Sequence, residues 1–328
     1  MLKKGAQSSI KIGVVIPCYK VCEHIMDVLS KIGQEVSRIY IIDDCCPDNS
    51  GEFVLRNCED ERITVIRNAM NLGVGGAVIE GYKAAVAEGI EIIVKLDGDG
   101  QMDPQLILNF ITPIIEGKAD YTKGNRFFDL KKIQSMPKIR LLGNAVLSFM
   151  TKFSSGYWNL FDPTNGYTAI HTDIARHLEY DKLSKRYFFE TDMLFQLNIL
   201  RAVVIDISMD AKYGNEKSHL KISRVIGEFL FKHARNFCKR LFYNYYLRDM
   251  SLASFELPLG LIMLFFGLIF GFSHWMSSLH NGVTTPLGTV MLSILPLIFG
   301  FQLILAFLAY DIAAVPKQPL HLKHNKID

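Results

Sequence analysis

The chain has 328 residues, of which 49% are hydrophobic, and a formal charge of only +3. That balance excludes a protein that works by coating nucleic acid, which needs a strong cationic excess. The length predicts about two domains. The six cysteines include no paired CxxC spacing of a zinc site. Neighbouring Cys45 and Cys46 would make only a strained disulfide, so reduced thiols in a cytosolic protein are expected. Met1 to Ser9 is short and polar and lacks the apolar core of a secretion signal.

In chain order, Ile12-Gly13-Val14-Val15-Ile16 is an apolar, β-branched run closed by Pro17 and reads as a buried strand. Glu23 to Gln34 carries Ile25, Val28, Leu29 and Ile32 on one helical face. Ile39 to Ile42 predicts a second strand, followed by the polar turn Asp43 to Ser50. Gly51 to Asn57 starts a helix, and Ile63 to Ile66 is a third strand. Asn71-Leu72-Gly73-Val74-Gly75-Gly76-Ala77 leads into a helix through Ala87. It lacks the Gly-Lys-Ser/Thr of a P-loop and the G-x-G-x-x-G of a dinucleotide fold, so close helix–strand packing is as good a reading as a ligand loop.

The run Ile90 to Leu96 predicts a buried strand that ends in Asp97-Gly98-Asp99-Gly100-Gln101. At spacing i, i+2 on an extended chain, both carboxylates point the same way. Two adjacent anions make sense when a divalent cation neutralises them, and oxygen ligands suit Mg²⁺ or Mn²⁺. Gln101 continues the spacing and offers a third oxygen, and Gly98 and Gly100 let a ligand approach the backbone. The chemistry implied is a metal holding a diphosphate, with a plain Asp-Gly turn as the alternative. Strands alternating with helices predict a parallel sheet covered on both faces, whose ligands bind at the carboxyl ends of the strands. Pro17 to Tyr19, Asp43-Asp44 and Asp97 to Asp99 all fall there.

Further on, Tyr121 to Phe127 predicts a strand ending in a loop, with Arg126 either a phosphate ligand or a surface charge. Ile139 to Phe153 is helical, with Arg140 near its start. Asp162 to Tyr167 is rich in turn residues. Tyr187 to Asp192 opens a helix, where Glu190 and Asp192 also suit the macrodipole. Val203 to Ile207 is the last strand. Lys221 to Met250 alternates an apolar stripe with Lys232, Arg235, Lys239, Arg240 and Arg248, which fits an amphipathic helix at a membrane surface. Two apolar segments follow, Leu252 to Phe272 and Leu287 to Tyr310. Each has about the 20 residues that span a hydrocarbon core of ~30 Å. The connector between them lacks Lys and Arg, whereas the outer flanks carry Arg240, Arg248, Lys317, Lys323 and Lys326. The positive-inside rule puts both ends in the cytoplasm. The expected division is 1–220, a cytoplasmic α/β domain; 221–250, juxtamembrane helices; and 251–328, a two-helix anchor with a short tail.

Val15-Ile16-Pro17-Cys18-Tyr19, Ile42-Asp43-Asp44, Asn71-Leu72-Gly73, Asp97-Gly98-Asp99-Gly100-Gln101 and Asp162-Pro163-Thr164-Asn165-Gly166 stand in the order seen in family 2 glycosyltransferases. The chain resembles the polyprenyl-phosphate branch, relatives of dolichyl-phosphate mannose synthase, over roughly residues 11 to 220, and its two spans resemble the anchors of bacterial members. The resemblance implies a GT-A fold: a Rossmann-like, mostly parallel mixed sheet flanked by helices. It implies inverting, Mg²⁺- or Mn²⁺-dependent transfer from a UDP- or GDP-sugar to polyprenyl phosphate, in cell-envelope glycan synthesis at the inner face of the cytoplasmic membrane. Neither the sugar nor a homo-oligomer follows from it.

Residue by residue, Pro17, Tyr19, Asp43, Asp44, Gly73, Asp97, Gly98 and Asp99 match the nucleotide-sugar site. Asp97, Asp99 and Gln101 match the metal site, and Arg126, Arg140 and Lys217 match acceptor-phosphate ligands. Asp192 matches the acid that acts as base in relatives with hydroxyl acceptors. Lys20-Val21 replaces the usual Asn-Glu, Cys45-Cys46 the usual Gly-Ser, and Val74 a basic residue. The Gln-x-x-Arg-Trp signature of processive synthases is absent. The alternatives are a membrane-bound transferase that extends a lipid-linked glycan at a sugar hydroxyl and an inactive nucleotide-sugar binder. A nucleotidyltransferase would need a Gly-x-Gly-x-Arg loop after the first strand, which is missing.

Overall fold

The computed structural model describes residues 10–127, 138–210 and 222–324. The described chain separates into two compact units, Met1–Phe237 with Pro316–Asp328, and Cys238–Val315.

The first unit is built on one seven-stranded sheet. Its strands are β1 (Ile12–Cys18), β2 (Arg38–Asp43), β3 (Ile63–Arg67), β4 (Ile92–Lys95), β5 (Tyr121–Asn125), β6 (Thr168–His171) and β7 (Val204–Ser208), in the order β3-β2-β1-β4-β6-β5-β7. The helices are α1 (Ile25–Ser30), α2 (Ser50–Asn57), α3 (Val74–Ala87), α4 (Ile107–Ile115), α5 (Lys138–Ser155), α6 (Phe189–Leu200) and α7 (Ile222–Phe242). β1 lies between β2 and β4 and runs parallel to both, with Val14 opposite Ile39 and Val94. Such central strands are covered on both faces, which is why they read as unbroken apolar runs. Val14, Ile16, Ile39, Ile41, Val94, Phe110 and Ile114 fill one side of the core. Phe110 stacks on Tyr167 with ring centroids 3.9 Å apart.

The structure adds to the sequence-based picture in three places. β1 runs through Pro17 to Cys18, because its pairing with β4 ends at Val15 and the missing Pro17 N–H has no ladder to break there. The first helix shortens to Ile25–Ser30. β6 is a strand that the sequence did not mark; it runs antiparallel to both β4 and β5 and gives the mostly parallel mixed sheet that the resemblance implies. The C-terminal stretch also belongs to the first unit. The buried Asp120 carboxylate accepts the Leu320 and His321 amides, the His321 ring nitrogen and the Val203 amide, and the His321 ring stacks on His171. These bonds outweigh burial and hold the Asp120 carboxyl below its ordinary value.

The second unit is a helical hairpin, α8 (Ala253–His280) and α9 (Leu287–Ala313). Both helices are long and apolar enough to cross a membrane, with mean hydropathies of 2.1 and 2.4. Only 11% and 17% of their most apolar windows are buried, unlike a core helix of a soluble protein. Their backbones meet at Gly260 and Gly300, where an added Cβ would lie 2.9 and 2.7 Å from the facing glycine carbonyl. At the end of α9, buried Asp311 accepts two hydrogen bonds from Arg240 and one from the Tyr245 hydroxyl. That fork keeps a buried charge paired.

Candidate active site

The carboxyl ends of β1, β2 and β4 frame a cavity of about 590 Å³. Pro17, Tyr19 and Lys20 form one wall, with Lys20 held in the left-handed region at φ 59°. Asp44 forms the next wall. Its carboxylate accepts the Asn68 side-chain amide and the Leu72 and Gly73 backbone amides, each at 2.8 Å. One acid therefore fixes the whole loop before α3. Gly73 has φ 82°, and a Cβ there would meet the Lys185 carbonyl at 2.6 Å, so the position needs glycine. The segment that crosses this loop contributes Arg186 and Tyr187 to the cavity, together with Asn71 from the loop itself. None of these three was marked as a site residue from sequence.

Asp43 is placed differently from Asp44. It does not line the cavity, and its two carboxylate oxygens accept the Cys46 and Gly51 amides at 2.8 Å. It shapes the turn after β2 and caps the start of α2.

Asp97 and Asp99 line this cavity and also a second one of about 110 Å³, which adds Gln101, Arg126, Asn165, Gly166 and Asp210. The pair thus forms the partition between two spaces. Behind it, the buried Lys95 ammonium lies 2.7 Å from Asp97 Oδ1 and 3.9 Å from Glu190. Burial works against the Lys95 charge, but the Asp97 and Glu190 carboxylates outweigh it and raise its pKa. A Cβ on Gly166 would overlap the Lys95 ammonium and reach Asp97 Oδ2 at 3.0 Å, so glycine is required for close approach. Asp99 Oδ1 accepts the Gln101 amide at 2.9 Å.

Arg126 forms a two-pronged ion pair with buried Asp162, Nε to Oδ2 at 2.7 Å and Nη2 to Oδ1 at 3.0 Å, while still lining the smaller cavity. The Asp162-Pro163-Thr164-Asn165-Gly166 segment is therefore the scaffold of this side. It fixes Arg126, gives Gly166 to the partition and accepts the buried Lys123 ammonium at the Asn165 carbonyl. Burial lowers Lys123 to about 8 against the opposing pull of Asp162, Glu190 and Asp206.

Asp192 is also set apart from the cavities. It is buried and lines neither cavity. Its oxygens accept the Ser184 amide at 2.9 Å and the Asn236 side chain at 2.7 Å, tying α6 to α7. Glu190, two residues earlier and so on another face of the helix, lies 3.9 Å from the Lys95 ammonium. Arg140 stands in the first turn of α5, with its side chain outside the described residues. Lys217 also lies outside the described residues. The residues missed from sequence, Lys95, Asp162 as a partner and Glu190, share one signal: charge inside or beside an apolar strand or turn, which only pairing tolerates.

Among the described residues, no three His, Cys, Asp or Glu side chains converge on one metal-sized point. Two carboxylates with Gln101 nonetheless suit a Mg²⁺-type ion, which usually takes one or two protein carboxylates and fills its shell with substrate phosphate and water. A mostly parallel mixed sheet with a cavity at the carboxyl ends of its strands, bordered by a carboxylate pair, is a GT-A-type arrangement. The chain belongs to glycosyltransferase family 2, whose family profile matches residues 13–179.

It is 31% identical to a UDP-N-acetylglucosamine–dolichyl-phosphate N-acetylglucosaminyltransferase of Methanococcus voltae, over 53% of this chain and 74% of the relative. It is 27% identical to an undecaprenyl-phosphate mannosyltransferase of Micrococcus luteus, over 60% and 82%. Among solved structures, its fold resembles glucosyl-3-phosphoglycerate synthase from Mycobacterium tuberculosis in complex with UDP. The TM-score is 0.51 at 14% identity, over 70% of this chain and 79% of that one. Mannosyl-3-phosphoglycerate synthase from Rubrobacter xylanophilus gives 0.51 at 13% identity, over 74% and 77%.

Proposed function

We propose that the protein transfers a sugar, with inversion, from a nucleotide-diphospho-sugar to polyprenyl phosphate at the cytoplasmic face of a membrane. The observation that carries this reading is the Asp97–Asp99 partition, reached from a nucleotide-sized cavity on one side and an arginine-lined cavity on the other. The relatives named for transfer to dolichyl and undecaprenyl phosphate, and the exposed apolar hairpin, support the lipid acceptor. In this reading Tyr19 and Asp44 bound the nucleoside, and Gly73 with the amino end of α3 borders the diphosphate, where helix N–H groups favour anions. Asp97 and Asp99, with Gln101, would hold Mg²⁺ or Mn²⁺. When bound, that ion takes up the charge that develops on the departing nucleoside diphosphate. Lys95 holds the Asp97 oxygen on the far side from the cavity and keeps the paired acids from repelling one another. Arg126, fixed by Asp162, and Arg140 in α5 receive the acceptor phosphate, since a guanidinium binds phosphate through paired hydrogen bonds.

A phosphate acceptor is mostly ionised near neutral pH, with a second pKa near ~6, and attacks without a strong base. The buried, doubly hydrogen-bonded Asp192 supports that choice over a sugar hydroxyl, which must lose its proton to a positioned base. Steady-state kinetics of Asp192→Asn test it. Under the phosphate reading the rate falls modestly through loosening of α6, and the residual activity keeps the wild-type pH profile between about 7 and 9. Loss of about 10²–10⁴-fold in kcat, with a wild-type profile that follows a carboxylate titration, would instead assign a hydroxyl acceptor.

A further inference from the structure

Two cysteines from different loops converge on one serine hydroxyl beside the nucleotide cavity. Cys22 follows β1, in the loop that carries Tyr19, Lys20 and Val21 of the cavity wall. Cys46 follows β2, two residues after Asp44. Both sulfurs lie on one hydroxyl: Ser50 Oγ is 3.1 Å from Cys46 Sγ and 3.5 Å from Cys22 Sγ. The Cys46 sulfur also accepts the Lys20 amide at 3.1 Å, and the Cys22 thiol points at the Asp48 carbonyl at 3.7 Å. Of the four non-glycine residues with positive φ among the described residues, three (Lys20, Cys45 and Asn49) sit in these two loops. Such backbone is held by its surroundings and shifts when a contact changes.

We propose that Cys46 and Cys22 form a peroxide-sensitive dithiol, a modification site whose disulfide joins the two loops and weakens nucleotide binding. Cys46, though buried, is the attacking sulfur because a backbone amide and a hydroxyl lie against it. Burial opposes its thiolate, but the Ser50 hydroxyl and the Lys20, Ser50 and Asp48 amides outweigh burial and lower its pKa. Cys18 is the internal contrast: burial, with Asp43 next in order, raises it far above the thiol range, and it donates to the Ile16 carbonyl. Cys22 is half-buried and stands as the resolving thiol.

The step balances with hydrogen peroxide as oxidant. The Cys46 thiolate attacks one peroxide oxygen, the O–O bond breaks, and the leaving hydroxide picks up the thiol proton as water. The Cys22 sulfur then attacks the Cys46 sulfenic sulfur. The S–O bond breaks, the S–S bond forms, and the second oxygen leaves as water with the Cys22 proton. Two thiols lose two electrons, and one peroxide becomes two waters. The new bond turns the Cys46 sulfur away from the Lys20 amide and the Ser50 hydroxyl, and the loop carrying Tyr19 moves with it.

The test uses the full chain in detergent, treated with hydrogen peroxide and mapped by peptide mass spectrometry, which needs no nucleotide. The expected product is one cross-link between the Cys22 and Cys46 peptides, reversed by dithiothreitol. It is absent in Cys22→Ser and Cys46→Ser and retained in Cys45→Ser. Sulfinic acid on Cys46 with Cys22 still free, or a link through Cys45, overturns the proposal. The effect on the nucleotide rests on the proposed function and is read with UDP and GDP by calorimetry. The cross-linked protein should bind roughly tenfold more weakly, the equivalent of one lost hydrogen bond. Equal affinity of reduced and cross-linked protein overturns the coupling. If the reduced protein binds neither nucleotide, it is the nucleotide-site reading that fails.

Discussion

Two acid pairs stand at the ends of neighbouring strands, and they are built in opposite ways. At the end of β2, the carboxylate oxygens of Asp43 and Asp44 are taken up by backbone and side-chain amides, so this pair holds loops in shape. At the end of β4, Asp97 and Asp99 divide two cavities and are steadied from behind by an ammonium and one amide. Identical side chains therefore brace loops or border a cavity according to where their oxygens find donors. An anion whose donors are all in the fold costs little to bury, whereas one facing a cavity keeps oxygen surface that a ligand can reach.

The comparison breaks most clearly at Asp99. Asp99→Ala should lower turnover by at least ~100-fold, the scale of losing a transition-state electrostatic contact, and initial-rate assays with saturating donor would show it. The second pair also rests on buried charge, which makes its surroundings pH-sensitive. Lys123 has a folded pKa of about 8, against about 10.4 in an unfolded chain. The folded state therefore binds fewer protons between these values. Its buried ammonium costs stability below pH 8, and the deficit is relieved as pH rises towards 10.4. Relative to Lys123→Met, the wild type should gain about 3 kcal/mol across that window, measured by denaturant unfolding at each pH. No such gain would remove the buried charge from the account.

Asp44→Asn keeps one acceptor oxygen but sets an NH2 group against at least one of the amides that its two oxygens accept, and should cost roughly 1.5–3 kcal/mol of stability. It should also raise the donor Michaelis constant, because the loop it holds lines the cavity. Asp43→Asn should cost a similar or smaller stability, with donor kinetics nearly unchanged. If the Asp43 change impairs donor binding more than the Asp44 change, the assignment of the two acids is reversed.

The sheet's parallel half was legible because its strands are apolar on both faces and each ends in a marked turn. β6 was not legible: Thr168 to His171 is only four residues long and follows the turn-rich Asp162 to Gly166. The Asp97–Asp99 pair was legible from its i, i+2 spacing. The hydrogen-bond partners of Asp43 and Asp192 were not, since a sequence shows an acid but not which amides fold back onto it. Lys95 was hidden for a related reason. In an apolar strand it reads as an outward-facing charge, and its burial makes sense only once Asp97 and Glu190 are placed beside it. The tail after α9 likewise carried no pattern that pointed to Asp120, because the pairing crosses some 200 positions of chain.

The central claim is transfer to a lipid phosphate through the Asp97–Asp99 partition. It is tested most directly by incubating the purified full-length protein with polyprenyl phosphate, Mg²⁺ or Mn²⁺ and a panel of UDP- and GDP-sugars, and weighing the lipid products. The account predicts one glycosyl-phosphoryl-polyprenol, absent with a chelator and absent with Asp99→Ala. A glycolipid formed equally well by Asp99→Ala, or a sugar added only to hydroxyl-bearing glycan lipids and never to the phosphate, would contradict it.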